Sequence, residues 1–426
     1  MRRWGIRVFS LLLVVLVFAS VAIWVLEFYP RRVAHPASRL AKGVLVIQHA
    51  RIYVSPTGPT IDDGTVLVRD GLIAAVGKQV DVPAGATQVP CDHCVVAAGF
   101  WNAHVHFTEP KWNFAEWKHA DILNAQLADM FLSRGFTTVI DLGSNPADTL
   151  AIRRRIESGE LLGPYIYTSG PPLYPPHGVP YYIRETAPAW MVAIMPQPAT
   201  PKDARRIVRR NLSSGADLTK LFTGSWVARG RVLPMPLDIA KAAVSTTHLS
   251  GKLVFAHPSN LAGMLVAINS GVDVLAHAAD ETEGVDAKLL GTAIGRNMAM
   301  IPTLKMFATT TVTRDPQYMD PICAEVRQFH ELGGTLLFGT DVGYMTDYST
   351  DGEFVELGNS GLDWKTVLAM LTTNPAARMG VSDSRGTVTA GKLADLAILD
   401  ADPADRLTNF SRVRAVVRSG KLVWQR

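Results

Sequence analysis

Six side chains capable of metal binding or acid–base chemistry stand at the ends of short apolar runs: His104, His106, Lys220, His257, His277 and Asp341. Two positions apart on a strand, His104 and His106 leave the same face and can close on one ion. Neutral imidazoles and a carboxylate suit zinc and similar divalent cations. Taken singly, each has an ordinary explanation: a histidine satisfied by a hydrogen bond, an aspartate after Gly339-Thr340 capping a helix, a lysine snorkelling from an apolar surface. The set is different. His-x-His, Lys, His, His, Asp fall in that order at successive strand ends, whereas His35, His49, His93, His119, His248 and His330 lie in linker, sheet or helix-like segments.

Bringing such distant positions together requires a scaffold that collects strand ends on one face. From residue 99 to 384 the pattern is strand–helix alternation, with short apolar runs at 99–106, 137–142, 165–169, 218–223, 253–257, 272–277, 299–303 and 336–341. Eight such runs with room for helices between them predict an α/β fold, a (β/α)8 barrel whose chemistry sits at the C-terminal ends of its strands. One helix is fully punctuated: Thr200 as N-cap, Pro201 at its first position, Asp203 in the first turn and Gly215 past its end. Residues 171–201 are rich in proline and aromatics and too long for an ordinary turn, which marks a lid or substrate loop. Tyr174, His177 and Tyr181 on that loop, with Tyr182 and Arg184, are candidate substrate contacts; a packed proline-rich loop is the alternative reading. Lys305 and Met306 follow the seventh run at the same mouth.

Both chain ends have a different texture. Short strand-like runs at 44–47, 52–54, 64–69 and 72–76 are separated by Gly-, Pro- and Asp-rich turns, and the pattern returns at 394–399, 413–418 and 422–424. A small β-sandwich built from residues 43–98 and 385–426, with the barrel of 99–384 inserted between its halves, is the economical division of a 426-residue chain. Ahead of it, residues 8–26 are continuously apolar or small, flanked by Arg2, Arg3 and Arg7 on one side and Arg31 and Arg32 on the other. Residues 1–31 are therefore expected to form a transmembrane signal anchor, followed by a linker over 32–42, with the catalytic part exported; secretion after signal cleavage is the rival. The net charge of +4 is largely this local cluster, and Arg153-Arg154-Arg155 lacks interleaved aromatics, so no nucleic-acid partner is expected. Cys91 and Cys94 form a CxxC without a second ligand pair, which leaves packing residues or a local disulfide; Cys323 is expected to be buried and inert.

Gly99-Phe100-Trp101-Asn102-Ala103-His104-Val105-His106 resembles the opening motif of the amidohydrolase superfamily, and Gly215-Ala216-Asp217-Leu218-Thr219-Lys220 resembles its fourth-strand segment. Phe255-Ala256-His257, Leu275-Ala276-His277 and Phe338-Gly339-Thr340-Asp341 resemble its later ligand positions, and Asn374-Pro375-Ala376 with Gly391-Lys392-Leu393-Ala394-Asp395-Leu396 its C-terminal landmarks. The likeness spans residues 43–426 and is nearest to the imidazolonepropionase-like branch that holds binuclear aminoacyl-proline dipeptidases. Asn102 departs from the aspartate often found there. The resemblance implies two divalent ions, Zn2+ foremost: His104, His106 and Asp341 on one, His257 and His277 on the other, and Lys220, carbamylated by CO2, bridging them. It implies attack by a metal-bridging hydroxide on a small-molecule amide (a dipeptide, N-acyl amino acid or cyclic amide), with Asp341 as the catalytic proton shuttle. Lactone or organophosphate ester cleavage is the alternative on the same metals. A non-catalytic scaffold would be expected to have lost ligands, and none is missing. A homo-oligomer is left open.

Overall fold

The computed structural model describes Val15, Val17 and residues 40–310 and 317–426. The expected anchor over 1–31 and most of the linker over 32–42 lie outside the described residues, apart from Val15, Val17 and residues 40–42. No helix among the described residues is long and apolar enough to cross a membrane.

All eight expected barrel strands are present, several shorter than their apolar runs. Phe100–Val105, Phe136–Asp141 and Tyr165–Thr168 form one parallel ladder; Thr219–Phe222, Val254–His257, Val274–Leu275, Ala299–Met300 and Thr335–Leu336 form another. Two seams close the ring. Between the eighth strand and the first, Ala103 N donates to Phe338 O at 2.7 Å and Asp341 N to His104 O at 2.9 Å. Between the third and the fourth, Asp217 N donates to Thr168 O at 2.7 Å, and the Asp217 carboxylate accepts from Thr168 N at 2.9 Å.

Inside the ring, Ala103, Ile140, Leu218, Phe255, Val274, Ala299, Ile301 and Leu337 pack as one apolar cluster. Strand alternation follows from it: Lys220 is two positions beyond Leu218 and His257 two beyond Phe255, so both leave on the inward side at the mouth. A second, larger cluster lies between the strands and the surrounding helices, among them Ala120–Met130, Pro146–Glu157, Pro201–Ser213 and Leu237–His248. Pro201–Ser213 begins as expected, with the Thr200 hydroxyl accepting from Asp203 N.

The β-sandwich expectation needs correcting. Both chain ends contribute to a single eight-stranded sheet, in the order Lys421–Gln425, Val413–Arg418, Leu396–Leu399, Val95–Ala98, Val44–Tyr53, Thr60–Arg69, Leu72–Gly77, with Thr87–Gln88 also pairing to Val44–Tyr53. One long strand departs from its expected pattern. Residues 44–47 and 52–54 read as two strands, but Val44–Tyr53 runs through a bulged register around Ala50, where His49 takes a φ of +58°. Bulges bend and twist a strand, and here the edge strand Leu72–Gly77 comes round to residues 391–394, with Ile73 N donating to Lys392 O at 2.8 Å. Val96 and Ala98 pack into the core this sheet encloses, while Val95 and Ala97 pack into the barrel's outer core. Cys91 and Cys94 are joined as a local disulfide, and Cys323 is a buried free thiol.

The seam between the third and fourth strands depends on a buried ion pair. Arg153 Nη1 lies 2.7 Å from Asp217 Oδ2, and Arg153 Nη2 donates to Gly215 O at 3.1 Å. Removing one member of such a pair takes away the main charge compensation of the other in an apolar interior. Asp217→Ala is therefore expected to destabilise the fold by about 3–5 kcal/mol, read as a lower urea midpoint, and a loss below about 1 kcal/mol would contradict this role.

Candidate metal centre

The six expected residues converge at the barrel mouth. His104, Lys220, His277, Asp341 and His257 are buried, and His106 nearly so. Ring centroids of His104 and His106 are 5.2 Å apart, those of His104 and His277 4.5 Å, and those of His257 and His277 4.5 Å. His104, His277 and Asp341 each offer a ligand atom within 4.8 Å of the others.

Hydrogen-bond partners assign the histidine tautomers. His106 Nδ1 lies 3.0 Å from Gly143 O. A carbonyl can only accept, so Nδ1 carries the proton and Nε2 presents a lone pair. The Thr303 hydroxyl donates to Pro302 O at 2.7 Å, which leaves it to accept from His277 Nδ1 at 2.6 Å. His277 Nε2 is then also bare. Burial, followed by the Lys220 charge, drives His104 and His257 well below the ordinary histidine value; in His277 burial and then His257 do the same. These imidazoles are neutral, the form that binds a metal.

Around Asp341 Oδ1 this creates an electrostatic problem. His106 Nε2 is 2.9 Å away and His104 Nε2 3.3 Å, yet the oxygen has no aligned hydrogen bond. Lone pairs facing a carboxylate oxygen at such distances repel unless positive charge lies among them. Burial lowers His106, but Asp341 and Asp141 outweigh it and raise its pKa above the ordinary value. Lys220 Nζ and His257 Nε2 are likewise buried without a partner, a rare state for buried polar atoms. Burial also pushes the Lys220 ammonium down to about 7. Divalent cations fit these donors: they would take up the bare nitrogens and the carboxylate together.

The close approach of the first and eighth strands rests on glycines. A Cβ at Gly339 would lie 2.3 Å from Ile301 Cγ2 and 2.9 Å from His104 Cβ; one at Gly343 would lie 1.9 Å from His106 O. Asn102 ties the same seam, donating to Thr340 Oγ1 at 2.7 Å and accepting from His104 N and Thr340 N, both at 3.2 Å. An aspartate here would lack the amide donor. Left-handed backbone gathers at the strand ends, at Ser259 (φ +60°), Thr303 (+51°) and Asp341 (+59°). Each costs on the order of 1–3 kcal/mol for a non-glycine residue, strain that clusters at functional sites.

Residues 95–423 match the amidohydrolase family. The chain belongs to that family. Among solved amidohydrolase-like folds it is similar to a Xaa-Pro dipeptidase with bound methionine in the active site (21% identity, 90% of this chain and 100% of that one, TM-score 0.76). It is similar also to a prolidase complexed with N-methylphosphonate-L-proline (21%, 90% and 100%, 0.71) and to molinate hydrolase (19%, 89% and 94%, 0.73). The branch expected from the motifs and the neighbours found by fold agree. No curated protein matches the sequence.

As in a barrel enzyme, the amidohydrolase site opens into a cavity, here about 1770 Å3. Tyr174, Tyr181, Tyr182 and Met306 line it. His177 does not: it is exposed, at a φ of +57° in the turn closed by Gly178 N to Pro175 O, and is absent from the lining. Arg184 and Lys305 are spent on structure, Arg184 on the carbonyls of Val179 and Val227, and Lys305 on those of Asp347 and Ser349. The motif reading missed Thr303, Asp141 and Asp280. Asp141 accepts from Thr168 Oγ1 at 2.6 Å and from Gly143 N at 3.3 Å, fixing the carbonyl that orients His106. Asp280 lines the cavity, accepts from Trp226 Nε1 at 2.7 Å, and is pushed up to about 7 by burial.

Thr303→Val keeps the shape but removes the acceptor that sets the His277 tautomer. Metal affinity, measured by competition with a chelator, is expected to fall about 10–100-fold, as for other outer-shell partners. Thr303→Ser should keep it, and a Thr303→Val protein of undiminished affinity would remove Thr303 from this role.

Proposed function

We propose that the chain hydrolyses a C–N amide bond, in a dipeptide, an N-acyl amino acid or a cyclic amide. The observation that carries the reading is the convergence of five ligand-type side chains, four of them buried, around Lys220, whose buried Nζ has no partner. His104, His106 and Asp341 would hold one divalent ion, His257 and His277 a second. Lys220, carbamylated by CO2, would supply the carboxylate joining them. When bound, such ions lower the pKa of water from about 15.7 towards ~7 and polarise a carbonyl.

The chain's own groups do the rest. Asp341 would accept the proton of the attacking water and return it to the leaving amine nitrogen, without which an amine leaves poorly. Thr303 and Gly143 hold the imidazoles so that their bare nitrogens face the centre. The Phe222 ring, stacked on His257 at 4.7 Å, and the Phe307 ring, 6.1 Å from His277, back the ligands with apolar surface and keep bulk water from them.

The two central residues should fail differently when altered. Lys220→Ala removes the proposed bridge, so metal content and amide hydrolysis fall together, and added short carboxylic acids restore part of both. Asp341→Asn retains at least one metal but loses turnover, by about 10²–10⁴-fold from proton transfer alone. If Lys220→Ala kept its full metal complement and near-normal hydrolysis of dipeptide and N-acyl substrates, the bridging role would be lost and a mononuclear site would take its place.

A further inference from the structure

The cavity is much larger than this chemistry needs. At about 1770 Å3 it exceeds the ~300–1,000 Å3 usual for small-molecule sites, and a dipeptide would fill a small part of it. Its mouth is also unusually apolar. Trp190 is 54% exposed, Ile194 47%, Tyr344 45% and Phe114 44%, and all four line the cavity. Large apolar side chains gathered at a cavity mouth, rather than scattered singly, mark a surface that apolar material covers.

The ring order of the strands shows how the lining is divided. Apolar lining comes from the loops after strand seven (Phe307), eight (Tyr344), one (Phe114) and three (Trp190, Ile194). Strands eight and one are neighbours through the closing seam, so these loops occupy one arc, with Pro146 after strand two completing it. The loops after strands four and six supply Trp226, Arg229, Asp280 and Glu281. The Asp280 carboxylate is half-buried there with Trp226 as its donor, while Arg229 rests on the Tyr181 ring at 5.3 Å. The charged lining outside the ligands therefore stands on the side of loops four and six, while the other arc carries the exposed apolar side chains together with the uncharged polar Thr108, Asn113, Ser144 and Asn145.

We infer that the substrate is an amphiphilic amide: a long or bulky apolar acyl group lies along the arc of loops seven, eight, one and three, and the amine part faces the arc of loops four and six. The inference rests on the amide-hydrolase reading and selects, among its three substrate types, the N-acyl amino acids. Residues 181–186 and 189–194, the two short helices of the long third loop, serve as the wall against which the acyl group is held. This gives the 171–201 insertion a specific use: Trp190 and Ile194 supply contact area to the acyl group and leave the metal ligands untouched.

The test uses the full-length, metal-loaded protein and N-acyl glycines from acetyl to dodecanoyl, each below its aggregation concentration. Burying a methylene corresponds to roughly a fourfold gain, so kcat/KM should climb by up to about that factor per added carbon before levelling off. Trp190→Ala and Ile194→Ala, both at exposed positions that the fold does not depend on, should each lower the dodecanoyl-to-acetyl ratio of kcat/KM. Hydrolysis that gains nothing from acetyl to dodecanoyl, or a ratio indifferent to both substitutions, overturns this inference and leaves the amide reading intact. Failure to cleave any member of the series, or any dipeptide, with metal bound overturns both.

Discussion

At the mouth of the barrel His106 Nε2 lies 2.9 Å and His104 Nε2 3.3 Å from Asp341 Oδ1, and positive charge among these groups makes that meeting stable. Much of the rest of the structure serves to maintain it. The Gly143 carbonyl and the Thr303 hydroxyl hold protons on the far nitrogens of His106 and His277, so the near ones face the centre. Burial keeps three of the four histidines neutral. Without a cation the arrangement is a cluster of unsatisfied buried atoms, which folding would be expected to avoid.

Backbone geometry makes the meeting possible. Asp341 comes back toward His104 and His106 because the chain turns through a left-handed conformation at its own position and because Gly339 and Gly343 leave room where a side chain would collide. Asn102 bonds both strands across that seam. On the opposite side of the ring, the Asp217 carboxylate replaces a strand hydrogen bond and brings Arg153 into the interior. The barrel is thus closed at one seam by the site itself and at the other by an ion pair.

The convergence of the six candidate residues is legible in the sequence because rare side-chain types fall at strand ends, a position that strand alternation and apolar patterning reveal together. The eight barrel strands were legible for the same reason, since each apolar run is followed by room for a helix. What surrounds the ligands was not. Thr303 and Asp141 are common residue types with no spacing signal, and their roles come from contacts between strands adjacent in space. Asp280 left a faint trace, three positions after His277 in the loop following a ligand strand. His177 was misleading because an aromatic, donor-rich loop gives no hint of which side chains turn outward. The strand texture of the two chain ends shows in the sequence, but their joining into one continuous sheet does not, and the bulge at Ala50 looks in sequence like a break between two strands.

The central claim is that Lys220 joins two cations held by the surrounding imidazoles and carboxylate. It is tested most directly by elemental analysis of the purified active protein, made with added zinc or manganese and freed of loosely bound ions. Two divalent ions per chain, lost together with activity on chelation and recovered together on reconstitution, is the predicted result. Fully active protein holding one ion per chain or fewer would contradict it.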